Sequence, residues 1–354
     1  MSDHTIELIT LDGKTLSYSC PEDTDLISAA EGVDIYLNAQ CHSGSCGACI
    51  AHCDSGEYRL EGYSEDALSE AARSQGEVLM CCTRPQSDMR LSLPYEYDLI
   101  RFEAPARRNA RITTMTRLTP DTVKLELQLE PDEEGALSLD FEPGQFVQLG
   151  IPDTDIQRPY SLANTPNWDG SLEFLIKLRH GGVFSTWLDR QAAPGMMLEV
   201  EGPFGTFVLR DHGLRPRYFV AGGCGLASIM SMLKRMAEWQ EPHTVKLFFG
   251  VSTEKDLFYQ DEITQLAADY PNLQYQICLT RPSPSWTGYH GSVVEAFKQS
   301  LAGAQETPDI YVCGSPHLVE GVTEAAIALG IDPNALIFER YLAGDAQDSR
   351  CDIS

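Results

Sequence analysis

Cys41-His42-Ser43-Gly44-Ser45-Cys46-Gly47-Ala48-Cys49 places three cysteines at C-x4-C-x2-C spacing within nine residues, and a further cysteine stands at Cys81. Three thiols so close together pair poorly as disulfides, yet all of them can face one metal centre. A two-iron, two-sulfur cluster needs four thiolates, three from a tight loop and one from a distant strand, and the spacing matches that need. Gly44 and Gly47 suit such a loop, which must bend sharply and turn its N–H groups toward sulfide. Plain buried or disulfide-bonded cysteines are the alternative; spacing and glycines together favour the metal.

Outward from this loop, the local signals describe a small sheet with a packed helix. Thr5–Thr10 and Thr15–Ser19 flank Asp12-Gly13, a hairpin turn signal. A helix is expected from Asp25 to about Glu31, ahead of the loop. Ser64 reads as an N-cap, with Glu65 and Asp66 in the first turn of a helix running to Arg73. Val78-Leu79-Met80 leads into Cys81, and Arg90–Leu93 has the look of a closing strand.

Residues 1–95 resemble the plant-type ferredoxins, an α+β, β-grasp-like fold. In such modules the last cluster ligand sits in an apolar-apolar-Cys-x-x-x-Pro pattern. Leu79-Met80-Cys81-Cys82-Thr83-Arg84-Pro85 puts Cys81 there, so the resemblance implies Cys41, Cys46, Cys49 and Cys81 as the iron ligands. Cys53 and Cys82 compete for the fourth place. Cys53 belongs on a strand leading away from the loop, and on an extended strand Cys82 would point to the opposite face. His42 stands where such loops often carry Arg, which bears on cluster potential and docking.

The whole chain has 354 residues, too many for one ordinary core, and 43% of them are apolar. No secretory signal is visible at Met1-Ser2-Asp3-His4-Thr5, and no run of eighteen apolar residues occurs. Eleven cysteines in such a chain read as reduced thiols and metal ligands, so a soluble cytoplasmic protein is expected. The net charge of −26 argues against nucleic acid or an anionic membrane as partner. Residues 1–97 hold 17 Asp and Glu against five Lys and Arg, a net −12. An acidic region around a redox centre suits steering toward a basic patch on a partner protein, although acidity alone also keeps a protein in solution.

Pro94–Arg107 reads as the linker into a second region. Val123-Lys124-Leu125-Glu126-Leu127-Gln128-Leu129 alternates as a half-buried strand does, and Phe146–Leu149 and Leu172–Leu178 are further strands of an antiparallel barrel. In Arg158-Pro159-Tyr160-Ser161, the Arg can neutralise a pyrophosphate, the Tyr can stack on a flat ring, and the Ser hydroxyl can bond a ring nitrogen. Gly181-Gly182-Val183-Phe184-Ser185-Thr186 precedes a helix, and its amides and hydroxyls would make a phosphate cradle. Gly202-Pro203-Phe204-Gly205 is a turn. In this order the pieces resemble the flavin domain of the ferredoxin-NADP reductase superfamily, a resemblance that extends over residues 108–354. It implies FAD, with Arg158 on the flavin phosphate, Tyr160 and Ser161 at the ring, and Gly182 and Ser185 in the cradle.

From Arg217 strands and helices alternate, which predicts a parallel sheet with covering helices. Gly222-Gly223-Cys224-Gly225 ends the first strand and opens a helix, where glycines let backbone approach a pyrophosphate. The superfamily usually has Thr and Pro where Cys224 and Ser228 stand. Cys313-Gly314-Ser315-Pro316 resembles its Cys-Gly-x-Pro turn, whose cysteine lies near the hydride-donating nicotinamide carbon. After the second strand, Glu254 occupies a stretch without the Arg that would bind a 2′-phosphate, so NADH is expected rather than NADPH. Phe338-Glu339-Arg340-Tyr341 resembles the segment that sets an aromatic ring or carboxylate beside the flavin, with Phe338 and Tyr341 both candidates for the ring.

The expected organisation is a ferredoxin domain at 1–95, a linker at 96–107, an FAD-binding barrel at 108–212 and an NADH-binding α/β domain at 213–354. This order resembles the reductase components of bacterial multicomponent oxygenases. Arg217-Tyr218-Phe219-Val220-Ala221-Gly222-Gly223, Phe141-Glu142-Pro143-Gly144-Gln145-Phe146 and Leu93-Pro94-Tyr95 resemble the soluble methane monooxygenase reductases most closely. The resemblance implies electron transfer from NADH through FAD and a [2Fe–2S] cluster to a di-iron hydroxylase, with Cys313 and Ser161 at the hydride-transfer site. Reductases of phenol, toluene or alkene hydroxylases and of Rieske aromatic dioxygenases are alternatives. A redox sensor without turnover is the alternative of another class.

Overall fold

The computed structural model describes residues 2–340 and divides in the main into two compact units, one up to Ala106 and one from Arg107. Among the described residues no helix is long and apolar enough to cross a membrane.

The first unit opens with the expected hairpin, β1 (Asp3–Ile9) and β2 (Thr15–Pro21). Helix α1 (Leu26–Glu31) follows, its N-cap Asp25 accepting a hydrogen bond from the Ser28 amide. Then come β3 (Ile50–Ser55), β4 (Tyr58–Leu60), α2 (Glu70–Ser74), β5 (Glu77–Leu79), β6 (Thr83–Pro85) and β7 (Met89–Ser92). The main sheet runs in the order β2-β1-β7-β3-β5, with β7 parallel to β1. The strand expected to close the sheet therefore lies at its centre. This is a mixed β-grasp arrangement whose core gathers Ile6, Leu8, Leu26, Ile27, Val78, Leu79 and Leu91.

The helix expected over 64–73 is shorter than its pattern. Ser64 Oγ accepts from the Ala67 amide at 3.2 Å and closes a turn, and the chain enters a helix only at Glu70, capped by Ser69. Tyr95 and Ile100 are buried in the same core, and Tyr36 pairs with Arg101 through both backbone bonds. The stretch after Pro94, read as linker, is thus partly folded into this unit.

The second unit begins with an antiparallel six-stranded sheet. Its strands are β8 (Ala106–Thr119), β9 (Thr122–Leu129), β10 (Phe146–Gly150), β11 (Gln157–Ser161), β12 (Ser171–Lys177) and β13 (Met197–Phe204), with α3 (Val183–Arg190) after β12. The order β11-β10-β13-β8-β9-β12 closes on itself through a bridge between Leu162 and Phe174, making a barrel. Alternation on β9 sends Val123, Leu125, Leu127 and Leu129 inward, as their spacing required.

The remaining elements are β14 (Arg217–Gly222), α4 (Leu226–Glu238), β15 (Val245–Val251), α5 (Gln260–Asp269), β16 (Leu273–Leu279), β17 (Tyr289–His290), α6 (Val293–Ala302), β18 (Asp309–Gly314), α7 (Pro316–Ala328) and β19 (Leu336–Arg340). All strands run parallel in the order β17-β16-β15-β14-β18-β19. Central strands of such a sheet are covered on both faces, which explains the unbroken apolar runs of β14 and β18. Helices α4 and α5 pack on one face, and α6 and α7 on the other. The strand order reverses between β14 and β18, and a crevice at their carboxyl ends is where such sheets take ligands.

Candidate functional site

The cysteine loop is wound by three left-handed residues, His42 (φ 50°), Gly44 (φ 72°) and Gly47 (φ 73°). At Gly44 a Cβ would stand 2.5 Å from Cys82 Sγ and 2.8 Å from the Tyr63 Cα, so no side chain fits. This winding turns amides onto sulfur: those of Ser43 and Ser45 each lie 3.4 Å from Cys41 Sγ, and that of Ala48 lies 3.5 Å from Cys46 Sγ. Cys49 Sγ and Cys81 Sγ are 3.2 Å apart. Cys41 is held well below the ordinary thiol range by hydrogen bonds from the Cys46 and Cys81 thiols, then by the Ser43 and Ser45 side chains, against the effect of burial. Cys46 and Cys81 are pushed up, first by their bond to Cys41. So crowded a set binds as thiolates only with positive charge among them, which iron supplies. The donor set and the inward amides fit a [2Fe–2S] cluster. Among the described residues no group of His, Cys, Asp or Glu is gathered tightly enough for a single ion. A two-iron cluster spreads its ligands over two metals and needs no such group.

Cys53 lies apart from this group on β3, with its thiol on the Ser55 carbonyl at 3.5 Å. Cys82 does not. Met80–Cys82 is a 3-10 turn instead of extended strand, so Cys82 Sγ stays 3.8 Å from Cys81 Sγ and on the loop side. The opposite-face expectation for Cys82 fails for that reason.

On the barrel, Arg158, Tyr160 and Ser161 share β11. The Tyr160 ring packs on Phe184 of α3 at 5.2 Å between centroids, which brings the first turn of α3 beside β11. Burial keeps the Tyr160 phenol un-ionised, while the charges of Arg158 and Arg179 act on it in the other direction. Two guanidinium groups near one ring and the first-turn amides of α3 suit a pyrophosphate. Ser185 Oγ accepts from the Arg179 amide at 3.0 Å, and Gly182 is the residue before the helix. Arg179 was missed, although it directly precedes His180-Gly181-Gly182 in the sequence.

At the switch point, Gly222 and Gly314 face each other across the ends of β14 and β18. A Cβ on Gly222 would stand 2.7 Å from Leu318 Cδ2, and one on Gly225 would strike the Cys313 carbonyl. Gly223 lies beside them with nothing within 4 Å of where its Cβ would be. Glycine at 222 and 225 thus lets the ends of β14 and β18 and the start of α4 pack closely, while Gly223 borders the open side of the cleft. Burial pushes the neighbouring Cys224 thiol up to about 12. The Glu254 carboxylate accepts from the Ser283 amide and hydroxyl at 2.7 and 2.6 Å, bonds that hold it below the usual carboxylate range.

Three residues far apart in sequence meet over this cleft. Glu339 Oε2 accepts from Ser161 Oγ at 3.2 Å and lies 3.5 Å from Cys313 Sγ. Burial pushes the Glu339 carboxyl up to about 7, against the two hydrogen bonds. On β19 successive side chains alternate, so Glu339 turns inward while the Phe338 ring is exposed under Arg340. The group meeting Ser161 and Cys313 is therefore the carboxylate of that segment; Tyr341 lies outside the described residues.

Residues 9–86 match the family described as 2Fe-2S iron-sulfur cluster binding domain. Residues 109–209 match oxidoreductase FAD-binding domain, and 219–324 match oxidoreductase NAD-binding domain. With the three architectures above, these matches define an iron–sulfur flavoprotein that oxidises NADH and carries a [2Fe–2S] cluster and FAD. The chain is 38% identical over 299 residues to methane monooxygenase component C of Methylosinus trichosporium, covering 84% of this chain and 87% of the relative. It is 35% identical over 320 residues to the anthranilate 1,2-dioxygenase electron transfer component of Acinetobacter baylyi, covering 90% and 92%. A cytochrome P450 reductase from Amycolatopsis superposes with a TM-score of 0.75 at 26% identity, covering 96% of this chain and all of that one. The chain belongs to the family of reductase components of multicomponent oxygenases.

Proposed function

We propose that this chain carries electrons from NADH to the di-iron hydroxylase of a soluble methane monooxygenase or a related small-hydrocarbon monooxygenase. The observation that carries the redox half of this reading is the meeting of Ser161, Cys313 and Glu339 over the glycine cleft. When bound, FAD would accept one hydride, that is two electrons, from NADH and release the electrons one at a time, as a one-electron cluster requires.

The chain's own residues supply position and electrostatics. Arg158 and the first turn of α3, with Gly182 and Ser185, hold the flavin phosphates, and Tyr160 and Ser161 contact the ring. Gly222, Gly223 and Gly225 leave room for the nicotinamide pyrophosphate. The Cys313 thiol and the Ser161 hydroxyl both face Glu339, whose carboxyl, with a pKa of about 7, can hold or give up a proton near neutrality. Glu254 repels a 2′-phosphate by its charge, and its bonds to Ser283 fix that charge in place. Phe338 offers an exposed ring at the same strand. Cys41, Cys46, Cys49 and Cys81 bind the cluster. The acidic first unit docks the hydroxylase in the cytoplasm, a location supported by ten free cysteines among the described residues.

The Methylosinus relative supports the methane monooxygenase reading, and the anthranilate dioxygenase relative supports a second one, the reductase of a Rieske aromatic dioxygenase. Reconstitution with candidate hydroxylases tests both. The expected result is NADH consumption coupled to small-hydrocarbon oxidation with a di-iron hydroxylase; coupling only with an aromatic dioxygenase would replace the first reading by the second.

A further inference from the structure

Glu173, on β12, takes no part in the site described above, yet it is among the most heavily engaged side chains of the second unit. Its Oε1 accepts from Lys234 Nζ at 3.1 Å and from the Tyr259 hydroxyl at 2.6 Å, and its Oε2 lies 3.1 Å from Lys124 Nζ. Lys124 belongs to the barrel, but Lys234 is on α4 and Tyr259 is the N-cap of α5. The carboxylate therefore bridges the barrel and the two helices on one face of the parallel sheet.

The surroundings extend the bridge. Lys234 Nζ also reaches the Ala163 carbonyl at 2.8 Å, Ser231 Oγ donates to the Asn164 carbonyl at 2.6 Å, and Thr165 Oγ1 donates to Glu238 at 2.7 Å. Ser231, Lys234 and Glu238 follow at three- and four-residue steps, one stripe of α4. The segment they grip begins two residues after Ser161. The same segment is tied back to Glu173, whose amide donates to Asn164 Oδ1 and whose carbonyl accepts from the Ala163 amide, both at 2.8 Å. Helix α4, in turn, starts from the glycine cleft. Tyr259 reaches its bond from a left-handed backbone (φ 61°), a conformation bulky residues rarely hold unless the surroundings enforce it. Burial opposes charge on Glu173, but Lys234, Tyr259 and Lys124 more than offset it and keep it a carboxylate.

From this geometry we infer that Glu173 is a positioning residue for hydride transfer: its carboxylate pins α4 and α5 to barrel strand β12 and so fixes the spacing between the glycine cleft and Ser161. The inference rests on the reading of those two places as nicotinamide and flavin sites.

The test uses the full chain loaded with FAD and cluster, and measures anaerobic flavin reduction by NADH in a stopped-flow instrument. In Glu173→Gln the limiting rate falls on the order of 10- to 100-fold, the effect of displacing reacting groups by about an ångström. The half-saturating NADH concentration and the cluster absorption stay as in the wild type, because the cleft and the cysteine loop are untouched. Lys234→Met and Tyr259→Phe break the same bridge from the other side, reproduce the loss, and carry the test if Glu173→Gln does not fold. Glu130→Gln, which removes only the exposed 2.6 Å pair with Arg111 on the barrel surface, leaves the rate unchanged. Bridge variants that melt at lower temperature but keep the wild-type limiting rate per bound flavin would overturn the inference alone. A wild-type flavin that NADH does not reduce would overturn the underlying reading as well.

Discussion

Replacing Glu339 by Gln removes one ionisable group at the meeting point of Ser161 and Cys313 while keeping a similar shape and an oxygen that can accept from either neighbour. Burial raises this carboxyl from 4.5 to about 7. Between those two pH values the folded protein keeps the proton and the unfolded chain releases it. Stability contributed here is thus fully present below pH 4.5 and is lost as pH rises toward 7. At about 1.4 kcal/mol per pH unit the whole interval is worth about 3 kcal/mol, and the residue's partial solvent access trims that toward about 2. Urea unfolding of wild type and Glu339→Gln over this pH range measures it. All four tryptophans (Trp168, Trp187, Trp239 and Trp286) lie in the second unit, so their emission follows that unit. The difference in unfolding free energy, wild type minus variant, should fall steadily with rising pH, other groups cancelling. A flat difference would refute the buried-carboxyl argument.

The remaining predictions concern the cluster and the cleft. Cys81→Ser should abolish the visible absorption of the cluster, whereas Cys82→Ser should keep it; the reverse pattern would move the fourth ligand by one residue. Cys313→Ala should slow NADH-driven flavin reduction on the order of tenfold or more with the cluster spectrum unchanged, and an unaltered rate would leave Cys313 as packing only. Gly222→Ala places a methyl 2.7 Å from Leu318 Cδ2, so the NADH concentration for half-maximal flavin reduction should rise about tenfold or more while FAD content is preserved.

Much of this architecture could be read from local pattern, because its causes are local. The C-x4-C-x2-C spacing and its glycines report a loop that closes within nine residues. The alternation of β9 and the unbroken apolar runs of β14 and β18 record one-sided and two-sided burial. What escaped was set by distance or by competing local bonds. A 3-10 turn at Met80–Cys82 keeps both thiols on one side, which no two-residue alternation predicts. Ser64 spends its hydroxyl on a turn, and Glu65 and Asp66 stay in that turn outside any helix. Glu339 acquires its partners from positions 178 and 26 residues away, so nothing in its own segment marks it out over Phe338. Glu173 was unmarked for the same reason: on β12 it looks like the polar half of an alternating strand.

The place of β7 in the first sheet governs how that unit can be made. Ile6 pairs with Met89 and Cys53 with Leu91, so the last strand of the unit is the one that joins its two halves. On a growing chain β1–β2 and β3–β5 stay separate until residue 92 has emerged, by which time Cys41, Cys46, Cys49 and Cys81 are already available to metal. A fragment cut at residue 86, where the family match ends, would carry every proposed ligand and still lack the strand that makes one sheet of them. Excision of the electron-transfer unit therefore has to run past Ser92, and on to Tyr95 and Ile100 to keep their side chains in its core.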